Sequence, residues 1–133
     1  MCIRDRGVAY NHRLNLSEGI LIKDNHIQSA GSVTNALKAV KEVNPLMLLE
    51  LEVDNLDQIR EALLIGVDGF LLDNMPPAFV RQAANQIKGR AIIEVSGGIT
   101  IDNVREFAAA GADYISIGAL THSAPAVNIS LEI

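Results

Sequence analysis

From residue 46 onward, short apolar runs recur at a fixed step. Leu48-Leu49-Glu50-Leu51, Phe70-Leu71-Leu72, Ile92-Ile93-Glu94-Val95 and Tyr114-Ile115-Ser116-Ile117 begin 22 residues apart. Each run has the length of one strand, and each of the first three is followed by a segment with helical spacing of apolar residues. The alternation reads βαβα. Short runs of this kind are expected of parallel strands covered on both faces. Parallel βα units of this length build either an open doubly wound sheet or a closed barrel.

The connecting segments support this reading. Leu56, Ile59, Leu63 and Leu64 define one helical face, closed by Gly66. A second helix opens on Pro76-Pro77, carries Phe79, Val80, Ala83 and Ile87, and stops at Gly89. A third shows Ile101, Val104, Phe107 and Ala108 before Gly111, with Thr100 or Asp102 expected to cap its start. Upstream, Gly19-Ile20-Leu21-Ile22-Lys23 reads as a strand, followed by a helix through Val33, Ala36, Leu37 and Val40 that Pro45 ends. Val127 to Ile133 is a candidate sixth strand. A complete eight-unit barrel takes roughly 250 residues, and this chain has 133. The chain is therefore expected to be either a partial barrel or a fragment, and its first strand to have an unpaired edge unless other residues or another subunit cover it.

Composition narrows the function classes. The chain is 49% hydrophobic and 20% charged, with a net charge of −5. No run approaches the roughly 18 apolar residues of a membrane span. The 11 Lys and Arg are scattered rather than clustered, which argues against nucleic acid as a partner. Cys2, the one cysteine, excludes an intrachain disulfide and suits a reducing, cytoplasmic setting. Residues 1–6, Met1-Cys2-Ile3-Arg4-Asp5-Arg6, are polar, aperiodic and unlike a signal peptide. They resemble a translated adaptor scar joined abruptly to Gly7, so they are expected to be a non-native leader ahead of a single domain, 7–133.

The carboxyl ends of the strands carry the chemistry. They read Lys23-Asp24-Asn25-His26, Glu52-Val53-Asp54-Asn55, Asp73-Asn74, Ser96-Gly97-Gly98 and Gly118-Ala119. Helix capping and turning explain any one of them, but five in succession point to a site, because ligands of parallel α/β proteins bind where the strand ends converge. Ser96-Gly97-Gly98 allows backbone N–H groups to approach an anion such as phosphate, and Gly118-Ala119 supplies a second wall. Glu52 and Asp73 end adjacent strands, and are expected a strand spacing apart with room for a hard cation. Magnesium fits better than zinc, which would want His-rich spacing. Asn11-His12-Arg13, Lys23, His26 and His122 form a cationic side that implies an anionic substrate. Lys23, at the end of an apolar strand, is expected to need a partner.

Together, Asn11-His12-Arg13, Leu21-Ile22-Lys23-Asp24-Asn25-His26, Glu50-Leu51-Glu52-Val53-Asp54, Leu71-Leu72-Asp73-Asn74, Ser96-Gly97-Gly98 and Gly118-Ala119-Leu120-Thr121-His122-Ser123 resemble the quinolinate phosphoribosyltransferase family over residues 7 to 133. The resemblance implies a partial, open-faced, TIM-like parallel α/β barrel, the C-terminal part of a catalytic domain, with an N-terminal domain not included. It implies that His12, Arg13 and Lys23 receive the carboxylates of quinolinate. Glu52 and Asp73 then hold magnesium and the ribose pyrophosphate, and Ser96, Gly97, Gly118 and His122 surround the 5′-phosphate. Lys23, Glu52 and Asp73 become the catalytic set. The implied reaction is phosphoribosyl transfer from phosphoribosyl pyrophosphate to quinolinate with decarboxylation. The product is nicotinate mononucleotide, for NAD biosynthesis. Further arginines of the family's site lie upstream or on a partner subunit, so the full-length protein is expected to be a homodimer or higher homo-oligomer, and this stretch alone to be inactive.

Two other readings remain open at this level. A strand-end lysine beside a phosphate cradle is also the pattern of a Schiff-base aldolase. A non-enzymatic barrel segment that only binds phosphorylated ligands is the other. Related transferases, including homologues associated with molybdate transport, share much of the pattern.

Overall fold

A computed structural model describes residues 19–122 and position 129. Its elements are β1 (Gly19–Ile22), α1 (Asp24–Ala30), α2 (Val33–Val43), β2 (Leu48–Glu52), α3 (Leu56–Ile65), β3 (Gly69–Asp73), α4 (Pro77–Ile87), β4 (Ile92–Ser96), α5 (Val104–Ala110), β5 (Tyr114–Ile115) and α6 (Ala119–His122). The five strands form one sheet in the order β1-β2-β3-β4-β5, and every neighbouring pair is parallel. This order decides between the two architectures compatible with the βα pattern. A doubly wound sheet reverses its stepping direction so that helices cover both faces. A sheet that always steps the same way, with right-handed crossovers, puts its helices on one face, as in a barrel wall. The candidate sixth strand, 127–133, and the leader, 1–6, lie outside the described residues.

Burial follows the one-sided design. Ile22, Leu49, Leu51, Val53, Phe70, Leu72, Ile93 and Val95 are buried against Leu37, Ile59, Val80, Ala83, Ile87 and Phe107 of the helices. Burying each of the larger side chains is worth about 1.5 to 3 kcal/mol. Truncating one, as in Leu72→Ala, costs about 2 to 5 kcal/mol. The other face of the sheet is different in kind. Strand side chains alternate between faces. The register sets Leu21 beside Glu50, Glu50 beside Gly69, Glu52 beside Leu71, Leu71 beside Glu94, and Asp73 beside Ser96. Apolar cover on both faces, the expectation for these runs, is therefore corrected: one face is helix-covered and apolar, the other carries carboxylates and a serine.

The helices depart from expectation in three places. α1 is an additional element, because Asp24-Asn25-His26 forms its first turn rather than a loop. In α3, Ile59 and Ala62 are buried but Leu64 is 87% exposed, so Leu64 lies off the core-facing stripe. The third connecting helix begins only at Val104. Ile101 precedes it and is 89% exposed, and Asn103 stands at its start in place of Thr100 or Asp102. α4 opens at Pro77 as expected and closes on Lys88, one residue before Gly89.

Two aspartates clamp the amino ends of the strands. Asp68 N–H donates to Leu49 O at 2.9 Å, and Leu49 N–H returns a bond to Asp68 Oδ2 at 2.8 Å. Asp113 repeats the exchange with Ile93, at 2.9 Å in both directions. Gly66-Val67-Asp68 and Gly111-Ala112-Asp113 are thus one device used twice. Each satisfies a strand-opening N–H that would otherwise lack a ladder partner.

Candidate active site

At the carboxyl ends the register gathers Lys23, Glu52, Asp73 and Ser96 on the face away from the helices. Ile22 pairs with Leu51, so Lys23 and Glu52 extend the ladder by one step as neighbours. Lys23 Nζ lies 3.0 Å from Glu52 Oε2. The expected partner of Lys23 therefore exists, although the lysine side chain is 51% exposed rather than buried. Its backbone N–H donates to His26 Nδ1 at 3.0 Å. His26 thus serves the start of α1, a capping role that accounts for its position.

Glu52 and Asp73 do not stand a strand spacing apart. Glu52 pairs with Leu71, which leaves Asp73 two residues further along β3. That stagger, with the interstrand spacing, separates the two backbones by roughly 8 Å. Asp73 has other neighbours. Its Oδ1 accepts from the Ser96 hydroxyl, and its Oδ2 accepts from Asn74 Nδ2 at 2.8 Å. Asn74 N–H donates across to Ser96 O at 2.9 Å.

The next two residues of that loop are Gly97 and Gly98, with φ of +84° and +61°. A Cβ on Gly97 would collide with the Asn74 carboxamide and come within 2.8 Å of its backbone nitrogen. Glycine is thus required at 97 by conformation and by contact. Asn103 holds the far side of the loop: its Nδ2 donates to Gly98 O at 3.1 Å, and its Oδ1 accepts from Thr100 N–H at 2.8 Å. The glycines therefore lead into a turn at 101–103, not straight into the helix expected behind them. Gly118 does precede a helix directly, the single turn α6, which His122 ends. His12, Arg13 and Asn11 lie outside the described residues, as does the His122 side chain.

Four residues of this face received no site role from the sequence, Glu50, Glu94, Ser116 and Asn74, although Asn74 stands in the Asp73-Asn74 strand end read there. Glu94 is 9% exposed and its Oε1 accepts from the Ser116 hydroxyl. A signal for three of them was present, because Glu50 and Glu52, Glu94 and Ser96, and Tyr114 and Ser116 alternate at period two inside otherwise apolar runs. The described face thus carries Glu50, Glu52, Asp73 and Glu94 against Lys23. An anionic ligand here needs further cations, and His12 and Arg13 are the residues of this chain expected to supply them.

Oxygen donors suit a hard cation. Asp73 spends one hydrogen bond on each oxygen and keeps lone pairs for another ligand. Glu52 and Asp73 fit magnesium in the mode that uses one or two carboxylates together with waters and substrate oxygens. Among the described residues, no cluster of three or more His, Cys, Asp or Glu could cage a metal unaided. A hollow of about 600 Å³ lies at the opposite, amino end, between Asp68, Arg90, Asp113 and Tyr114. Three of its charged side chains already serve the fold: each aspartate accepts a strand N–H through one oxygen, and Arg90 donates to the carbonyls of Gln86 and Ile87.

A one-way parallel sheet with helices outside, and a polar constellation with a glycine loop at its strand carboxyl ends, defines a barrel-type α/β protein. Comparison with known proteins specifies which. Residues 4–132 match the family described as quinolinate phosphoribosyl transferase, C-terminal domain, and the chain belongs to that family. It is 41% identical over 128 residues to a probable nicotinate-nucleotide pyrophosphorylase (carboxylating) of Bacillus subtilis, covering 96% of this chain and 44% of that protein. It is 40% identical over 130 residues to the nicotinate-nucleotide pyrophosphorylase (carboxylating) of Mycobacterium leprae, covering 96% of this chain and 46% of the relative. The crystal structure of nicotinate-nucleotide pyrophosphorylase from Ehrlichia chaffeensis superposes with a TM-score of 0.82 at 43% identity, covering 88% of this chain and 43% of that one. The chain therefore spans less than half the length of the relatives it matches.

Proposed function

We propose that this chain supplies part of the active site of a full-length enzyme that transfers a phosphoribosyl group to quinolinate with decarboxylation. The observation that carries this reading is the strand-end arrangement itself: a lysine paired with Glu52, beside a carboxylate held on both oxygens and a glycine loop, in a chain of this family. The pyridine nitrogen of quinolinate attacks C1 of phosphoribosyl pyrophosphate as the C1–O bond to pyrophosphate breaks. The alkylated ring is cationic, so the 2-carboxylate leaves as carbon dioxide, and a proton takes the electron pair left on the ring. Nicotinate mononucleotide results.

In this reading the protein mainly orients two anions and stabilises charge that develops in the transition state. Lys23 releases Glu52 to receive a quinolinate carboxylate, with His12 and Arg13 as the other cations. Glu52 and Asp73 face the sugar. Magnesium held by Glu52, Asp73 and the pyrophosphate would neutralise charge on the leaving group. Gly97 and Gly98 offer backbone N–H groups to the 5′-phosphate, alongside Ser96, Gly118 and His122. Missing cations come from the rest of the protein or from a second copy in a homodimer or higher homo-oligomer. Among the described residues no helix is long and apolar enough to cross a membrane, and a cytoplasmic location suits a chain with one cysteine.

The aldolase reading finds no support here. Among the described residues, Lys23 is half-exposed and its charged partner is the carboxylate of Glu52, where a Schiff-base lysine needs desolvation or a cationic neighbour to activate it. The test is turnover by the full-length protein, followed as release of carbon dioxide and appearance of nicotinate mononucleotide. Lys23→Ala should weaken quinolinate binding by the roughly 1.5 to 3 kcal/mol of a charge-assisted bond, and spare phosphoribosyl pyrophosphate. Absence of both products with magnesium present would refute the assignment.

A further inference from the structure

Asn74 sits in an unusual backbone state. Its φ is +54°, a region L-residues seldom occupy and Asn tolerates best among them. Glycine would relax that turn, so the side chain must contribute something glycine lacks. Its amide donates to Asp73 Oδ2 at 2.8 Å, while its backbone N–H donates to Ser96 O at 2.9 Å. The same carboxamide fills the space in which Gly97 would carry a side chain. The Ser96 hydroxyl, with a single proton to give, donates it to Asp73 Oδ1. Asp73, Asn74, Ser96 and Gly97 therefore close a ring of contacts between the ends of β3 and β4.

On this geometry we infer that Asn74 is a positioning residue that fixes the Asp73 carboxylate and ties its orientation to the glycine loop. The inference rests on the functional reading above, in which Asp73 meets the sugar and pyrophosphate and the loop meets the 5′-phosphate. With one oxygen held by Ser96 and the other by Asn74, the carboxylate plane cannot turn freely. Its remaining lone pairs then keep a fixed aim, as outer-shell partners do for ligating carboxylates. Because the same amide packs on Gly97, displacement of the loop displaces the group that holds Asp73. The phosphate and the sugar are thus read by one coupled unit. The Ser96 hydroxyl correspondingly donates to Asp73, so within this loop the backbone N–H groups are what Ser96-Gly97-Gly98 offers to phosphate.

The experiment compares Asn74→Gly and Asn74→Asp with the unaltered full-length protein, by calorimetric titration with phosphoribosyl pyrophosphate plus magnesium and, separately, with quinolinate. Asn74→Gly keeps the left-handed turn and removes the amide; Asn74→Asp keeps the shape and removes the donor. Both should weaken phosphoribosyl pyrophosphate binding about tenfold or more, Asn74→Asp the more strongly because it sets a like charge beside Asp73. Quinolinate affinity should stay within about twofold and the melting midpoint within a few degrees. In an Asp73→Asn background, Asn74→Gly should add less than twofold, since its effect passes through the carboxylate. Unchanged phosphoribosyl pyrophosphate affinity in both variants, or a full-sized effect in the Asp73→Asn background, would overturn the inference. An unaltered protein that binds neither ligand would instead overturn the functional reading on which it rests.

Discussion

Aspartates stand at both ends of this sheet, and they spend their oxygens differently. At the amino end, Asp68 and Asp113 each accept a strand-opening backbone N–H and return their own to that strand. Their carboxylates replace ladder bonds, so what they contribute is register. At the carboxyl end, Asp73 accepts, among the described residues, from side chains, the Ser96 hydroxyl and the Asn74 amide. The backbone there needs no help, because Asn74 N–H already bonds Ser96 O. What Asp73 gains is orientation. The contrast teaches that a carboxylate's partners, more than its place at a strand end, separate a stability device from a site residue, in keeping with the division between the two faces of parallel barrels.

The largest effect should come from breaking the carboxyl end alone. Asp73→Asn keeps shape and one of the two accepted hydrogen bonds while removing the charge proposed to face the sugar. Turnover by the full-length protein should fall about a hundredfold or more, the scale seen when one electrostatic contact to a transition state is lost. The unfolding free energy should change by less than about 1 kcal/mol, because no backbone group is orphaned. Steady-state rates and a urea melt on one preparation decide it. A large loss of stability with normal rates would make Asp73 a clamp like Asp68.

Glycines sharpen the comparison next. Gly97, at the site, and Gly111, at the amino end, both have positive φ and both lack room for a side chain. A Cβ on Gly111 would lie 2.9 Å from that of Ala84. Alanine at either position should cost about 2 to 4 kcal/mol, from backbone strain plus overpacking. Only Gly97→Ala should also weaken phosphoribosyl pyrophosphate binding in the fraction that remains folded, since its added methyl displaces the Asn74 amide. Equal binding in both variants would make the loop at 96–98 merely a turn. A smaller change of the opposite kind is expected for Asp68→Ala. It should cost about 1 to 3 kcal/mol by leaving Leu49 N–H without its partner, and leave turnover per folded molecule unaltered.

The two ends were not equally legible in the sequence. The 22-residue step located β2 to β5, because parallel strands covered by helices must be short and apolar on the helix side. Strand order then followed from the structure, since spacing alone fits a doubly wound sheet as well as a barrel. The polar face was written in Glu50, Glu52, Glu94 and Ser96, but the leucines, isoleucines and valines between them masked the alternation. The stagger of Glu52 against Asp73 could not be read at all, because register depends on which residues exchange hydrogen bonds and not on where a run starts. Asn74 was visible only as half of an Asp-Asn pair. Its positive φ, its bond to Asp73 and its exclusion of a side chain at Gly97 all arise from tertiary contact. The clamps were hidden for the same reason, although Gly66-Val67-Asp68 and Gly111-Ala112-Asp113 repeat in plain view.

The smallest expected effect lies in the helix layer, away from both ends. Glu61 of α3 is bonded by Thr34 at the start of α2, whose backbone N–H donates to Glu61 Oε1 at 2.7 Å. The side-chain and backbone hydrogen bonds of Thr34, in that order, hold the Glu61 carboxyl below its ordinary value of 4.5, and burial opposes them only in part. A depressed value in the folded state means that the unfolded chain takes up a proton first as pH falls. The stabilisation is therefore fully present above about the ordinary glutamate value. It is lost progressively as pH drops below that value and through the lower folded one. Glu61→Gln removes the titration. The stability difference between unaltered protein and Glu61→Gln, read from urea midpoints, should be largest near pH 7 and shrink toward acid. A difference that stays constant from neutral pH to acid would show that the Thr34 bonds bind the protonated and charged forms alike.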